Sequence, residues 1–248
     1  MTTASNTNIE SKVGWGAIKP AQGIYEESAT AKADVGTRIQ VGDRTFFYAY
    51  AGGTALVAGT LVNAAGWMAG TLEVDLAVGT AAAIGSYSVP NITSAAAWTT
   101  LAEGYLVISD AVGEGHIYKI KSSKANADTS TSTDVTLYDP LAVALTTASK
   151  VELLTSQYYD LDIASAITDP VTGVPPIAVT ANYYFWCQTW GPCALLVGAT
   201  TAAGDMLVPH TTDGSVSPGA AYTSNIVGYS LTAGTAGDYP GATLRLAP

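Results

Sequence analysis

From Thr37 onward the apolar positions fall into short runs broken by Gly, Pro, Asp and Ser, the punctuation of β-strands rather than the three-to-four spacing of amphipathic helices. The stretch TRIQVGDRTFFYAYAGGTALVAGTLV predicts a strand, a Gly42–Asp43 turn, an aromatic strand carrying Phe46, Phe47, Tyr48 and Tyr50, a Gly52–Gly53 turn and a short aliphatic strand. Further strands are predicted at Leu72 to Leu76, Tyr105 to Ser109, His116 to Lys121 and Val135 to Tyr138. In HIYKIK, Ile117 and Ile120 do not alternate cleanly with Lys119 and Lys121, so the pattern leaves the faces of that strand open. One helix candidate stands out, LAVALTTAS after Pro140, of two turns at most.

A second β region follows the Pro-rich stretch DPVTGVPP. The predicted architecture is therefore all-β: one or two small sandwich- or barrel-like domains with an extended N-terminal arm. The expected division is an arm over 1–36, a first β domain over 37–168, a connector over 169–176 and a second β domain over 177–248. FFYAYAGGTALVAGTLV set beside YFWCQTWGPCALLV shows a shared order of aromatic strand, Gly-containing turn and aliphatic strand, which raises a duplicated β unit as one reading and shared composition as the other. In the arm, Asn6, Asn8, Gly14, Gly16, Pro20 and Gly23 break any period, while Val13, Trp15, Ile18 and Tyr25 are apolar anchors that a purely solvated tail does not need. Trp15, Ile18 and Tyr25 are accordingly expected to contact a neighbouring subunit.

Charge changes the picture more than length does. Charged residues make up 12% of the 248, about half the usual share, and the formal net charge is −10. Lys119, Lys121 and Lys124 form the one basic cluster and face Asp128 and Asp134 in sequence, so no phosphate-neutralising surface for nucleic acid is expected. The uncharged run from Thr45 to Leu72 is interrupted by five glycines and reads as buried strands and turns rather than a membrane span. The first twenty residues hold no apolar leader-like run, which sets assembly in the cytoplasm as the expectation.

Candidate chemistry is sparse. His116 and His210 stand near no nucleophile elbow and read as structural or loop residues. Asp160 with Asp162, and Glu73 with Asp75, are i, i+2 carboxylate pairs that strand alternation places on one face, the arrangement a glycoside hydrolase or a calcium site would need; surface acids on half-buried strands are the plainer reading. Cys187 and Cys193 flank QTWGP, where a hairpin would bring the sulfurs face to face; two buried thiols are the main expectation. No phosphate loop, metal set or cofactor motif is present, so no catalytic residue, metal or cofactor is assigned and no small-molecule substrate is expected. Trp186 and Trp190, near Tyr183 and Tyr184, are read as interface anchors, with a sugar-stacking platform as the alternative.

A surface this poor in charge suits broad contact with other protein. The runs AEGYLVISDAVGEGHIYKIKSS, DVTLYDPLAVALTTASKVELL, GVPPIAVTANYYFWCQTWGPCALLV and IVGYSLTAGTAGDYPGATLRLAP resemble structural proteins of tailed-bacteriophage virions. The ending, an aliphatic strand, a small-residue AGTAGD loop and a closing strand, resembles capsid decoration or cement proteins in particular. The likeness covers about residues 100 to 248. It implies an all-β body without enzymatic activity, bound to the capsid exterior through the major capsid protein, self-associated as a trimer, and stabilising the shell by bridging neighbouring capsomers. A tail, neck or host-glycan-binding component is the alternative. The first hundred residues have no counterpart in the comparison.

Overall fold

The computed structural model describes residues 21–64, 73–93, 101–125, 132–168, 170–219 and 225–248. The protein is all-β, and among the described residues no helix is present. Fifteen strands form among the described residues: β1 (Arg38–Val41), β2 (Arg44–Tyr50), β3 (Val62–Ala64), β4 (Glu73–Ala77), β5 (Ser88–Thr93), β6 (Tyr105–Asp110), β7 (Ile117–Ala125), β8 (Ser132–Leu137), β9 (Lys150–Leu154), β10 (Leu161–Ile163), β11 (Tyr184–Ala194), β12 (Met206–Pro209), β13 (Val216–Pro218), β14 (Gly228–Ser230) and β15 (Gly241–Arg245). They belong to two compact units: unit 1 combines residues 1–65 with 158–248, and unit 2 is residues 66–157. The linear division expected at 169–176 is not the one the chain adopts, because β2 and β11, from either side of it, are neighbours in one sheet.

The described strands of unit 2 form a single six-stranded antiparallel sheet in the order β4-β9-β6-β7-β8-β5. It curls until its two edges meet, Val78 bridging Ile92 and Gly79 N–H donating to Asn91 O at 2.8 Å. Curling puts alternate residues inside: Leu106 and Ile108 of β6, Tyr118 and Ile120 of β7, Val135 and Leu137 of β8 and Val151 and Leu153 of β9 share one core. The ambiguous HIYKIK strand resolves here, with Ile117 outside (58% exposed) and Tyr118 and Ile120 inside. The expected helix after Pro140 does not form. Leu141 and Leu145, four apart as on a helix face, instead reach into the barrel core from an irregular loop. That loop ends in a turn in which Ser149 Oγ accepts from Thr146 N–H at 3.1 Å, an alternative to helical hydrogen bonding open to Ser and Thr.

Unit 1 is a seven-stranded antiparallel sheet, β1-β2-β11-β15-β14-β12-β13, with a two-stranded ribbon of β3 and β10. In the ribbon Ala64 lies opposite Leu161, so the chain leaves unit 1 and re-enters it at adjacent positions. Residues 66–157 are thus an insert whose two ends unit 1 already holds together.

One loop design recurs in both units. A residue forming an isolated bridge is followed at once by a four-residue turn and then, within a few residues, by a strand. Bridges pair these loops reciprocally: Leu56 with Val179, Ala82 with Leu145, and Thr201 with Gly234, each exchanging two backbone hydrogen bonds of 2.8 to 3.1 Å. The best-matched turns are Ala202–Asp205 and Thr235–Asp238, where the aspartate Oδ2 accepts the N–H of the first turn residue at 2.8 and 2.9 Å. Their third residues, Gly204 and Gly237, have φ of +91° and +93°, the left-handed geometry that a type II turn requires and glycine adopts without strain. The loop after β2 is paired with VPPIAVTANY, which precedes β11, and not with the YFWCQTWGPCALLV run that resembled it in sequence.

Candidate functional site

The first strands of unit 1 are roofed by the chain's own N-terminal segment. On one face of β2 and β11, Phe46, Tyr48 and Trp186 pack with Ile24 and Val41. Gln22, 3% exposed, ties the segment down: its Oε1 accepts from Tyr48 Oη at 2.7 Å, its carbonyl accepts from Trp186 Nε1 at 2.9 Å, and its Nε2 donates to the carbonyls of Tyr184 and Glu26. Ser28 bridges Tyr184, and Glu27 accepts from the N–H and hydroxyl of Thr180 at 2.6 and 2.9 Å. This corrects the expectation of an arm on a neighbour as far as residues 21–36 are concerned: they belong to unit 1. Trp15 and Ile18 lie outside the described residues.

Trp186 is likewise corrected as a contact residue. It is 1% exposed with its indole N–H satisfied, an internal anchor for the roof. Trp190 is half-buried on β11, opposite Thr45 and Arg245. The hairpin expected at Trp190-Gly191-Pro192 is absent, because β11 runs straight through with a bulge after Gln188 and Gly191 at φ +86°. Gln188 Nε2 lies within hydrogen-bond distance of the carbonyls of Trp190, Gly191 and Pro192 there, at 2.8 to 3.3 Å. Cys187 and Cys193 are free thiols on one continuous strand. Burial pushes both up, Cys193 to about 12 against the opposing pull of Arg44, so neither is a thiolate at neutral pH.

The stretch read as a connector is a strap. Gly173 O accepts from Val62 N–H at 3.0 Å, and Val174 exchanges 2.9 Å hydrogen bonds with Gln188. A side chain at Gly173 would collide with Cys187 Sγ and Gln188 O, which is why this strap lies so close to β11.

Between roof, strap and sheet is a cleft of about 430 Å³ lined by Tyr25, Arg44, Gly59, Pro175, Cys193 and Tyr239, among others. Tyr25 sits in the Gly23–Glu26 turn, closed by Gly23 N–H donating to Glu26 Oε2. Arg44 opens β2 directly after the Gly42–Asp43 hairpin turn. Its guanidinium lies 5.9 Å from the Tyr25 ring centre and 5.2 Å from that of Phe46, and Nη1 donates to Tyr25 Oη at 3.1 Å. Tyr239, 45% exposed, rests on Gly59, where a Cβ would come within 2.9 Å of its ring. Of these residues Tyr25 was expected as a contact residue, and Cys193 only as a buried thiol. Arg44 and Tyr239 carried no signal, because nothing local shows that residues 21–28 and 239–245 are both brought to β11.

Asp160 and Asp162 do come together: one carboxylate oxygen of each lies about 3 Å from where a Gly52 side chain would begin. Burial and the nearby Asp160 charge raise the Asp162 carboxyl above its ordinary value, and its Oδ1 is buried without a hydrogen-bond partner. Beside them Tyr50 packs against Tyr159 and Tyr184, ring centres 4.9 and 4.7 Å apart. For Glu73 and Asp75 a bulge in β4, with Asp75 at φ +56°, breaks the alternation that the pairing assumed. His116 Nδ1 lies 2.9 Å from Gly113 O, and His210 Nδ1 accepts from Thr212 N–H at 3.1 Å, so each imidazole is engaged in a local turn. Among the described residues no three His, Cys, Asp or Glu side chains group as metal ligands, and no helix is long and apolar enough to cross a membrane. Protein-family models, curated proteins and solved structures were each compared with the chain, and nothing in any of the three matches.

Proposed function

We propose that this is a non-enzymatic, partner-binding structural protein and, on the sequence resemblance, a virion protein that stabilises a capsid from outside by bridging neighbouring capsomers. The observation that supports it best is the pairing of turn-locked loops with a half-buried aromatic–arginine cleft on a chain of only 12% charged residues. Such a frame offers a stiff surface that orders few groups on binding, which lowers the entropic cost of association. Its partners are the major capsid protein and further copies of itself, as a trimer, on the capsid exterior after assembly in the host cytoplasm.

The test is co-sedimentation of the purified protein with expanded capsid shells at low and high salt, after light scattering has fixed its own mass. Stoichiometric, salt-tolerant binding supports the reading; absence of binding overturns it. A second reading, a tail or neck component that binds host glycan, draws on Tyr50, Tyr159 and Tyr184 beside Asp160 and Asp162, since rings and carboxylates are what a sugar's faces and hydroxyls meet. It calls for glycan-array binding that Tyr159→Ala abolishes.

A further inference from the structure

Arg44 is an unusual residue for this chain. Ten basic residues face twenty acidic ones, yet among the described residues no carboxylate pairs with Arg44. The charge is nevertheless built in. Two aromatic rings flank the guanidinium, Tyr25 Oη takes one of its N–H groups, and the side chain forms part of the cleft wall. A guanidinium held this way has already lost most of its rotamer freedom and keeps donors for an oxyanion. Most of the remaining wall is apolar or aromatic, Tyr25, Tyr239, Val174, Pro175 and Pro176 among it, and its polar member Gln188 spends its Nε2 on backbone carbonyls of β11.

We propose that the Arg44 cleft receives an acidic side chain flanked by apolar residues on a peptide segment of a partner chain. This rests on the reading of the protein as a partner-binding one and names what its partner presents. The wall decides the class of occupant. A free oxyanion would meet Arg44 and leave the tyrosines and prolines uncovered, whereas a phosphorylated ligand would bring close to two negative charges to a single cation in a chain of net charge −10. One carboxylate with apolar neighbours matches one guanidinium with aromatic neighbours.

The experiment is calorimetric titration of the full-length protein with acetyl-Phe-Glu-Phe-amide, its Gln analogue, sodium benzoate and sodium acetate. The Glu peptide is expected to bind saturably, and the Gln analogue about tenfold more weakly, the loss that accompanies one charge-assisted contact. Arg44→Gln, checked for an unchanged melting curve, is expected to show the same loss. Tyr239→Ala, at an exposed position, is expected to weaken the Glu peptide several-fold without abolishing it. Equal binding of the Glu and Gln peptides, no saturable binding of either, or benzoate or acetate binding as well as the peptide would overturn the proposal, the last by identifying a free-oxyanion site. No capsid enters this titration, so its failure is separate from failure to bind shells.

Discussion

Unit 2 closes its sheet with its own edge strands, whereas unit 1 leaves its sheet open and covers the β2–β11 face with residues 21–36. The two solutions differ in chemistry. The core of unit 2 is aliphatic apart from Tyr118, and its strands contribute inward residues by plain alternation. The roof of unit 1 is fixed by a buried polar side chain, Gln22, whose hydrogen bonds reach Tyr48, Trp186 and Tyr184. A barrel needs nothing beyond itself, while a roof fixed by specific hydrogen bonds can leave a cleft at its margin, and Tyr25 lies at that margin.

The severest test of this contrast uses two glycines that strand neighbours crowd. A Cβ at Gly104 would lie 2.1 Å from Leu154 O, and one at Gly228 would lie 1.9 Å from Thr243 O. Gly104→Ala and Gly228→Ala are each expected to cost about 3–5 kcal/mol, the range of the most damaging single substitutions. Hydrogen exchange should show the first loosening only β4 to β9 and the second only the seven-stranded sheet; loss of both units from either change would break the comparison.

Next in size are changes to the two closures. Gln22→Ala takes the acceptor from the Tyr48 hydroxyl proton and leaves the Tyr184 carbonyl with Ser28 N–H alone, and is expected to cost about 1–3 kcal/mol in denaturant unfolding. In unit 2, Tyr118→Phe removes the acceptor of the Ala142 N–H at 3.0 Å and is expected to cost about 1 kcal/mol. A larger loss from Tyr118→Phe than from Gln22→Ala would reverse the assignment of polar closure to unit 1.

The smallest effects are electrostatic and fall in unit 1. Because the Asp162 carboxyl is raised, the folded state holds its proton above pH 3.8 longer than the unfolded state does. Stability therefore falls as pH rises through that window, and Asp162→Asn is expected to raise the melting temperature slightly at pH 7 and not at pH 3. Asp238 is the opposite case, lowered by the hydroxyl and N–H of Thr235. Its contribution is present above pH 3.8 and lost as pH falls below it, so Asp238→Asn should melt slightly earlier at pH 7 with the difference shrinking in acid.

What the sequence made legible was local. GYLVISD, HIYKIK and DVTLYD lie within or across β6, β7 and β8 because alternation and turn residues are properties of neighbouring positions. The false helix after Pro140 came from the same source, since Leu141 and Leu145 have helical spacing but are held apart from a helix by the Thr146–Ser149 turn. The domain division failed for a different reason. Nothing within DPVTGVPP distinguishes a linker from a strap; the distinction lies in Gly173 and Val174 meeting Val62 and Gln188 across the fold. Arg44 and Tyr239 escaped notice on the same ground, and Trp186 was misplaced because an anchor under a roof and an anchor for a partner have the same composition.

Unit 1 is a frame that encloses residues 66–157 as an insert and holds its own sheet and roof without them. The direct measurement is an amide correlation spectrum of a chain in which a short Gly-Ser linker replaces residues 66–157, joining positions that the β3–β10 ribbon already holds adjacent. A dispersed spectrum in which the resonances of Gln22, Tyr48 and Trp186 keep their positions is expected. A collapsed spectrum would contradict the account, because unit 1 would then depend on unit 2 to fold.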